Sequence, residues 1–86
     1  MISKRLQTPA LFQSHELSLI AALISWNFPV ITVDKSSKKV VFIFTKTPEL
    51  IEAVDSFWNE SRQVLPKRYF NALREAKSRI YGTENL

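Results

Sequence analysis

Residues 65–82, LPKRYFNALREAKSRIYG, predict a helix that carries a lysine among its apolar residues. At about 100° per residue the apolar side chains fall in one arc, which consists of Tyr69, Phe70, Leu73, Ile80 and Tyr81. Lys77 falls in the middle of this arc, so we expect a lysine on the side of the helix that faces the core. Lys67 and Arg74 border the arc, and the resulting line of side chains, which we call the basic stripe, is Lys67, Phe70, Arg74, Lys77 and Tyr81.

Two interpretations of the basic stripe remain open at this level. In the first, its cations bind phosphate or carboxylate groups while its aromatic rings stack or pack. In the second, Lys77 lays its methylene groups over Phe70 and pairs with an acidic segment that precedes the helix. That segment, residues 47–60, holds four acidic side chains and no basic one, whereas residues 61–82 hold six basic side chains and one acidic one. Two antiparallel helices of opposite charge would satisfy both segments, with Lys77 near Glu49, Glu52 or Asp55.

Further cations are candidates for contact with nucleic acid. Arg68 and Arg79 point away from the basic stripe, and a polar loop adds Lys35, Lys38 and Lys39. Clustered, these side chains would form a phosphate-contacting surface. Scattered, they are an ordinary solubilising face, and the loop lysines protect a sheet edge from aggregation. The predicted nucleic-acid-binding residues are Lys35, Lys38, Lys39, Lys67, Arg68, Arg74, Lys77 and Arg79.

The loop lysines lie between two β-branched and aromatic runs, VITV at residues 30–33 and KVVFIF at 39–44, which predict an antiparallel hairpin. The intervening segment has no Gly, so we expect a loop longer than two residues. Val41 and Ile43 lie on the opposite face of the second strand from its other apolar residues, so both faces are apolar. A face that is not covered would form a binding surface.

Trp58 completes the candidate protein interface, which is Val41, Ile43 and Trp58. At the end of a helix, next to another aromatic residue, it is expected in the core with its indole N–H bonded to a backbone carbonyl. If it is exposed instead, it marks an interface hot spot.

Helix boundaries follow from residues with known preferences at helix ends. Ser14 is a good N-cap for a first helix over residues 15–26. Thr47 followed by Pro48 predicts the start of a second helix. Gly82 is suited to end the third.

We therefore expect an α+β fold of order α-β-β-α-α, a two-stranded antiparallel hairpin packed against three helices. Residues 14–82 form this single domain. An N-terminal arm, residues 1–13, precedes it and either docks through Leu11 and Phe12 or frays, and a C-terminal tail, residues 83–86, follows it. Because a lone hairpin is marginal in water and leaves two open edges, we also expect a homodimer or strand pairing with a partner.

Several strings resemble an uncharacterised family of small bacterial and phage-encoded proteins, a domain of unknown function. They are VVFIF at residues 40–44, TPEL at 47–50, FWN at 57–59 and YFNALREAKSRIYG at 69–82. LSLIAALISWNFPV at residues 17–30 is similar to the opening of that family, with Asn27 where a Gly is frequent. The resemblance covers about residues 14–82 and implies a stand-alone domain of bacterial or phage ancestry. It implies no activity, cofactor or catalytic residue.

Composition argues against enzymatic chemistry. The chain has no Cys, a single His at position 15 and a single Gly at position 82. Thiolate sites, a histidine-rich metal site and a phosphate-cradling glycine loop are therefore absent from the sequence. No serine has a base placed beside it by sequence. We predict no catalytic residue, no metal and no cofactor.

The sequence as a whole predicts a small non-enzymatic binding module. Its net charge of +4 and pI of 9.7 favour nucleic-acid binding through the basic C-terminal helix and the hairpin loop. The alternative is a protein–protein interaction module, or a phage-type inhibitor or adaptor, that uses the hairpin surface and the acidic second helix. No membrane span or secretory signal is apparent, so we expect a cytoplasmic protein without membrane contact.

Overall fold

The computed structural model describes residues 10–82, whose elements follow one another in the order β-α-β-β-α-α. The elements are β1 (Leu11–Ser14), α1 (Leu17–Ser25), β2 (Val30–Asp34), β3 (Val41–Thr45), α2 (Pro48–Trp58) and α3 (Pro66–Tyr81). The α+β class and the three helices are confirmed. The first nine residues of the predicted arm, and the whole predicted tail, lie outside the described residues.

The sheet has three strands in the order β1-β3-β2, with both neighbouring pairs antiparallel. The prediction of a two-stranded hairpin and of the order α-β-β-α-α was therefore wrong. The additional strand comes from the predicted arm, where Phe12 lies opposite Phe44 of the central strand. The Lys46 amide also donates to the Ala10 carbonyl at 2.9 Å. This strand satisfies backbone groups that a hairpin alone would leave at the second edge of β3.

The core lies between one face of the sheet and the helices. Phe42 and Phe44 of β3 are both 0% exposed and pack with Leu23 of α1 and Leu50 of α2. Burying a side chain of this size contributes about 1.5–3 kcal/mol. The other buried members of the cluster are Leu19, Ile20, Ala53 and Ala76. All three helices therefore cover the face that the alternating residues of β3 present.

The predicted start of α2 and the predicted end of α3 are confirmed. The Thr47 hydroxyl accepts a hydrogen bond from the Leu50 amide at 3.0 Å, and Pro48 occupies the first helical position. Gly82 adopts the left-handed conformation at the end of α3, with φ of 58°.

The predicted start of α1 was wrong. The helix begins at Leu17 with Glu16 as its N-cap residue. Ser14 is the last residue of β1, and its hydroxyl accepts the Glu16 amide at 3.1 Å, so it organises the turn from strand to helix. At the other end, Asn27 has a φ of 73°, which explains why a Gly is suited to this position.

The helices pack differently from the antiparallel α2–α3 pair that the charge pattern suggested. The most extensive contact between helices is that of α3 with α1, and α2 also packs against α1. The two buried residues of α3, Ala72 and Ala76, are alanines, and small side chains permit a close approach of the helices. The Tyr69 hydroxyl donates to a backbone carbonyl of α1 at 3.3 Å. These contacts fix the rotation of α3 about its axis.

Candidate nucleic-acid interface

The buried side of α3 determines which residues face solvent. Ala72 and Ala76 are buried, and Tyr69, Leu73 and Ile80 beside them are half-buried. The prediction that Lys77 faces the core was wrong, since it is exposed, as are the aromatic residues of the basic stripe. The predicted arc was centred on large aromatic side chains. The centre of the packed face is instead formed by Ala72 and Ala76, whose small side chains let α3 lie close to α1.

All five residues of the basic stripe are exposed on the outer side of α3. Phe70 is 58% exposed and Tyr81 is 71% exposed. The guanidinium carbon of Arg74 lies 5.9 Å from the centroid of the Phe70 ring, which places a cation over an aromatic face. The stripe advances by three and four residues in alternation, so its members lie on one line about 21 Å long at 1.5 Å per residue. The structure thus brings three cations and two rings together along one open surface.

The cations of the basic stripe have no carboxylate partner within residues 10–82. The ion pair in this part of the chain joins Arg79 to Glu75, at 3.4 Å, on another side of α3. The exposed acidic side chains of α2 form no ion pair with α3 within the same range; they are Glu49, Glu52 and Asp55. The internal pairing of Lys77 with the acidic segment is therefore not formed, because α3 lies against α1.

Arg68 and Arg79 belong to a different surface from the basic stripe. They line two grooves at the end of α1, which also include Ile24, Asn27 and Glu75. A cation at the C-terminus of a helix is favoured by the helix dipole. At 100° per residue, these arginines lie roughly 100–180° around α3 from the stripe cations. They therefore lie at the contact between α1 and α3 and not on the line of the basic stripe.

The predicted lysines of the hairpin loop are exposed in the connection between β2 and β3. The Ser36 amide donates to the Asp34 carboxylate at 2.9 Å. Hydrogen bonds from the side chain and the backbone of Ser36 hold the pKa of Asp34 below its ordinary value. The loop is six residues long, in agreement with the prediction of a long connection. Lys35, Lys38 and Lys39 belong to this loop and do not line the two grooves beside α3.

The candidate protein-interface residues fall on two surfaces. Val41 and Ile43 are half-buried on the sheet face opposite Phe42 and Phe44. Trp58 is 60% exposed at the end of α2, so its predicted place in the core was wrong.

The hydrogen bond from an indole N–H to a backbone carbonyl, which was predicted for Trp58, is made by Trp26. The Trp26 indole N–H donates to the Gln63 carbonyl at 3.0 Å, and the guanidinium carbon of Arg62 lies 5.0 Å from the Trp26 ring centroid. These two contacts tie the α2–α3 connection to the end of α1. Trp58 is left outside this junction, with its ring edge-on to Phe57 at 5.0 Å.

Sequence reasoning missed the residues that orient the stripe. Ala72 and Ala76 are four positions apart and lie beside Tyr69, Leu73 and Ile80, so a wheel centred on small residues would have placed the stripe outside. Within the described chain, no three His, Cys, Asp or Glu side chains come together in a way that could hold a metal ion. Among residues 10–82 there is also no helix with the length and hydropathy needed to cross a bilayer.

Comparison with known proteins yields a family without an assigned role. A family model described as Domain of unknown function (DUF5659) matches residues 10–82. No curated protein and no solved structure matches the chain. The match begins one residue before β1, so it includes the strand that the sequence had assigned to an arm.

Proposed function

The chain belongs to the DUF5659 family, whose function is unknown, and from its own surface we propose that it is a nucleic-acid-binding module that uses the basic stripe of α3. The observation that carries this proposal is the exposure of Lys67, Arg74 and Lys77 in one line without a carboxylate partner in residues 10–82. Cations left unpaired on a regular element are suited to contact a chain of phosphates.

The overall charge supports the same proposal. A chain with net charge +4 attracts a polyanion, and the attraction is strongest where positive side chains are not neutralised by neighbours. The acidic side chains of α2 lie on a helix that does not pack extensively against α3. The basic stripe therefore keeps its positive potential, while the exposed loop lysines, Lys35, Lys38 and Lys39, can add further phosphate contacts.

Fluorescence anisotropy with labelled oligonucleotides tests the proposal at several salt concentrations. We expect a Kd between about 10⁻⁴ and 10⁻⁶ M, the range for sequence-independent binding. Three phosphate contacts from the stripe give a slope of log affinity against log salt of about −2 for a single strand. The triple variant K67Q/R74Q/K77Q should reduce the magnitude of this slope by about 2, so that any remaining slope comes from cations outside the stripe.

The hairpin loop provides a variant with the same change in charge. K35Q/K38Q/K39Q also removes three positive charges, at exposed positions where folding is little affected. The stripe variant should lose more affinity than the loop variant. Equal losses would mean that net charge alone attracts the oligonucleotide, and a wild-type Kd weaker than about 10⁻⁴ M at low salt would refute nucleic-acid binding.

Protein binding is the second candidate, favoured by one specific observation. Trp58 is a large aromatic side chain that is 60% exposed beside the unpaired acidic residues of α2, and tryptophan is enriched at interface hot spots. A protein recovered by the wild type in the presence of nuclease, and lost with W58A, would support this function.

A homodimer through the open sheet edges, β1 and β2, is a further proposal. Light scattering at tens of micromolar protein would reveal it, and a monomer would refute it.

A further inference from the structure

The rings of the basic stripe carry information beyond its charge. Phe70 and Tyr81 are each more than half exposed. The fully buried residues of α3 are two small ones, Ala72 and Ala76, so the helix keeps two of its large rings in solvent. A ring exposed to this extent contributes little to the core. Two of them on the same line as three unpaired cations indicate a ligand that offers flat apolar faces between negative charges.

Single-stranded nucleic acid is the ligand that matches this pattern. Its bases present their faces for stacking while its phosphates follow the cations. In a duplex the base faces are covered by their neighbours, so the rings of Phe70 and Tyr81 would meet only the backbone. The cations would contact the phosphates of a single strand and of a duplex, whereas the rings would stack only on the bases of a single strand.

The spacing of the stripe sets the length of strand that it can hold. Phe70 and Tyr81 are separated by about 16 Å along the helix axis, at 1.5 Å per residue. A stacked strand advances about 3.4 Å per nucleotide, so the two rings bracket about five nucleotides. Lys67 precedes the first ring by three residues, and Arg74 and Lys77 lie between the rings, so one phosphate contact comes before the first stacking position and two come between the two positions.

The position of Arg74 adds a second planar group at the first ring. Its guanidinium carbon lies 5.9 Å from the Phe70 centroid, a distance at which the cation contacts the ring face. Arginine stacks on planar groups while it pairs with phosphate, which lysine cannot do in the same way. The Phe70–Arg74 pair is thus a platform for one base and its phosphate.

On the premise that the proposed function holds, we propose that the basic stripe selects single-stranded over double-stranded nucleic acid, with one base stacked on Phe70 and another on Tyr81. The preference comes from the rings, and the affinity shared by both ligands comes from the cations.

The test compares one labelled strand with its duplex, in parallel, by anisotropy at low salt. F70A and Y81A should each weaken single-strand binding by about 5-fold or more, the low end of the loss for one stacked base. Both should weaken duplex binding by a smaller factor than single-strand binding. F70W and Y81F keep a ring at each position and should retain the preference. W58A removes an exposed ring from α2 and is the matched control, for which no change is expected.

Each outcome of this test has a separate meaning. Equal affinity of the wild type for strand and duplex would overturn the selection for single strands while leaving the proposed function intact. A preference that survives F70A and Y81A would overturn the role of the rings. Absence of binding to either ligand would refute the proposed function itself. Circular dichroism melting of every variant ensures that a loss of binding is not a loss of folding.

Discussion

The rotation of α3 about its axis determines what the protein can bind, and two adjacent positions test it. Ala76 is 0% exposed in the core cluster, whereas Lys77 is exposed. Replacing each with leucine introduces the same side chain at two positions of one turn, about 100° apart around the helix axis, of which one is buried and the other exposed. A76L forces extra carbon atoms into the close contact with α1, and overpacking of this kind costs about 1–3 kcal/mol. K77L adds an apolar group to an exposed position, where changes are usually within about 0.5 kcal/mol.

Thermal and urea denaturation of the two variants measure the difference. In a domain of this size, 1 kcal/mol shifts Tm by about 4–8 °C, so A76L should melt about 4–24 °C lower than the wild type. Both leucines have similar helix propensity at neighbouring positions, which makes K77L the control for that contribution. If K77L destabilises the fold as much as A76L does, Lys77 faces the core and the basic stripe is not an exposed surface.

Two further predictions concern the start of α2 and the hairpin loop. T47A removes the hydroxyl that accepts the Leu50 amide and should cost about 1 kcal/mol in urea denaturation, whereas T47S should retain the stability; an unchanged T47A would contradict the role of this cap. In an NMR titration, the Asp34 carboxyl should titrate below the ordinary range of an aspartate, because Ser36 hydrogen-bonds its charged form. The contribution of this contact is fully present above the unfolded-state pKa and is lost as the pH falls through the lower folded-state pKa. A midpoint at or above the ordinary value would contradict the hydrogen bond.

Local signals in the sequence predicted local structure well. Thr47 and Pro48 marked the start of α2, Gly82 marked the end of α3, and the β-branched and aromatic runs marked two of the strands. These features depend on hydrogen bonds and conformational preferences within a few residues. The absence of Gly between β2 and β3 likewise predicted a longer loop.

The predictions that were wrong for β1 and for Trp58 concern contacts between distant parts of the chain. β1 is a strand because β3 lies beside it, and the two are separated by the whole of α1 and β2. Of the two tryptophans at helix ends, Trp26 is held at a junction because the α2–α3 connection passes over it. Trp58 has no such neighbour and stays exposed.

The candidate site was predictable in composition but not in orientation. The five residues of the basic stripe were identified from periodicity, and the structure places them in one line. The side of α3 that they occupy was predicted wrongly, because the packed face is centred on Ala72 and Ala76 of α3 itself. A periodicity weighted by hydrophobicity favours Phe70 and Tyr81 over Ala72 and Ala76, whereas close helix packing favours the alanines.

NMR mapping of an oligonucleotide titration tests the central claim, that the basic stripe is the binding surface, most directly. With ¹⁵N-labelled protein and a short single strand, the amide shifts should change most along the stripe, at Lys67, Phe70, Arg74, Lys77 and Tyr81. The buried positions Ala72 and Ala76 and the acidic face of α2 should change least. Shifts that centre on α2 or on the outer face of the sheet, or no shifts at millimolar oligonucleotide, would contradict the account.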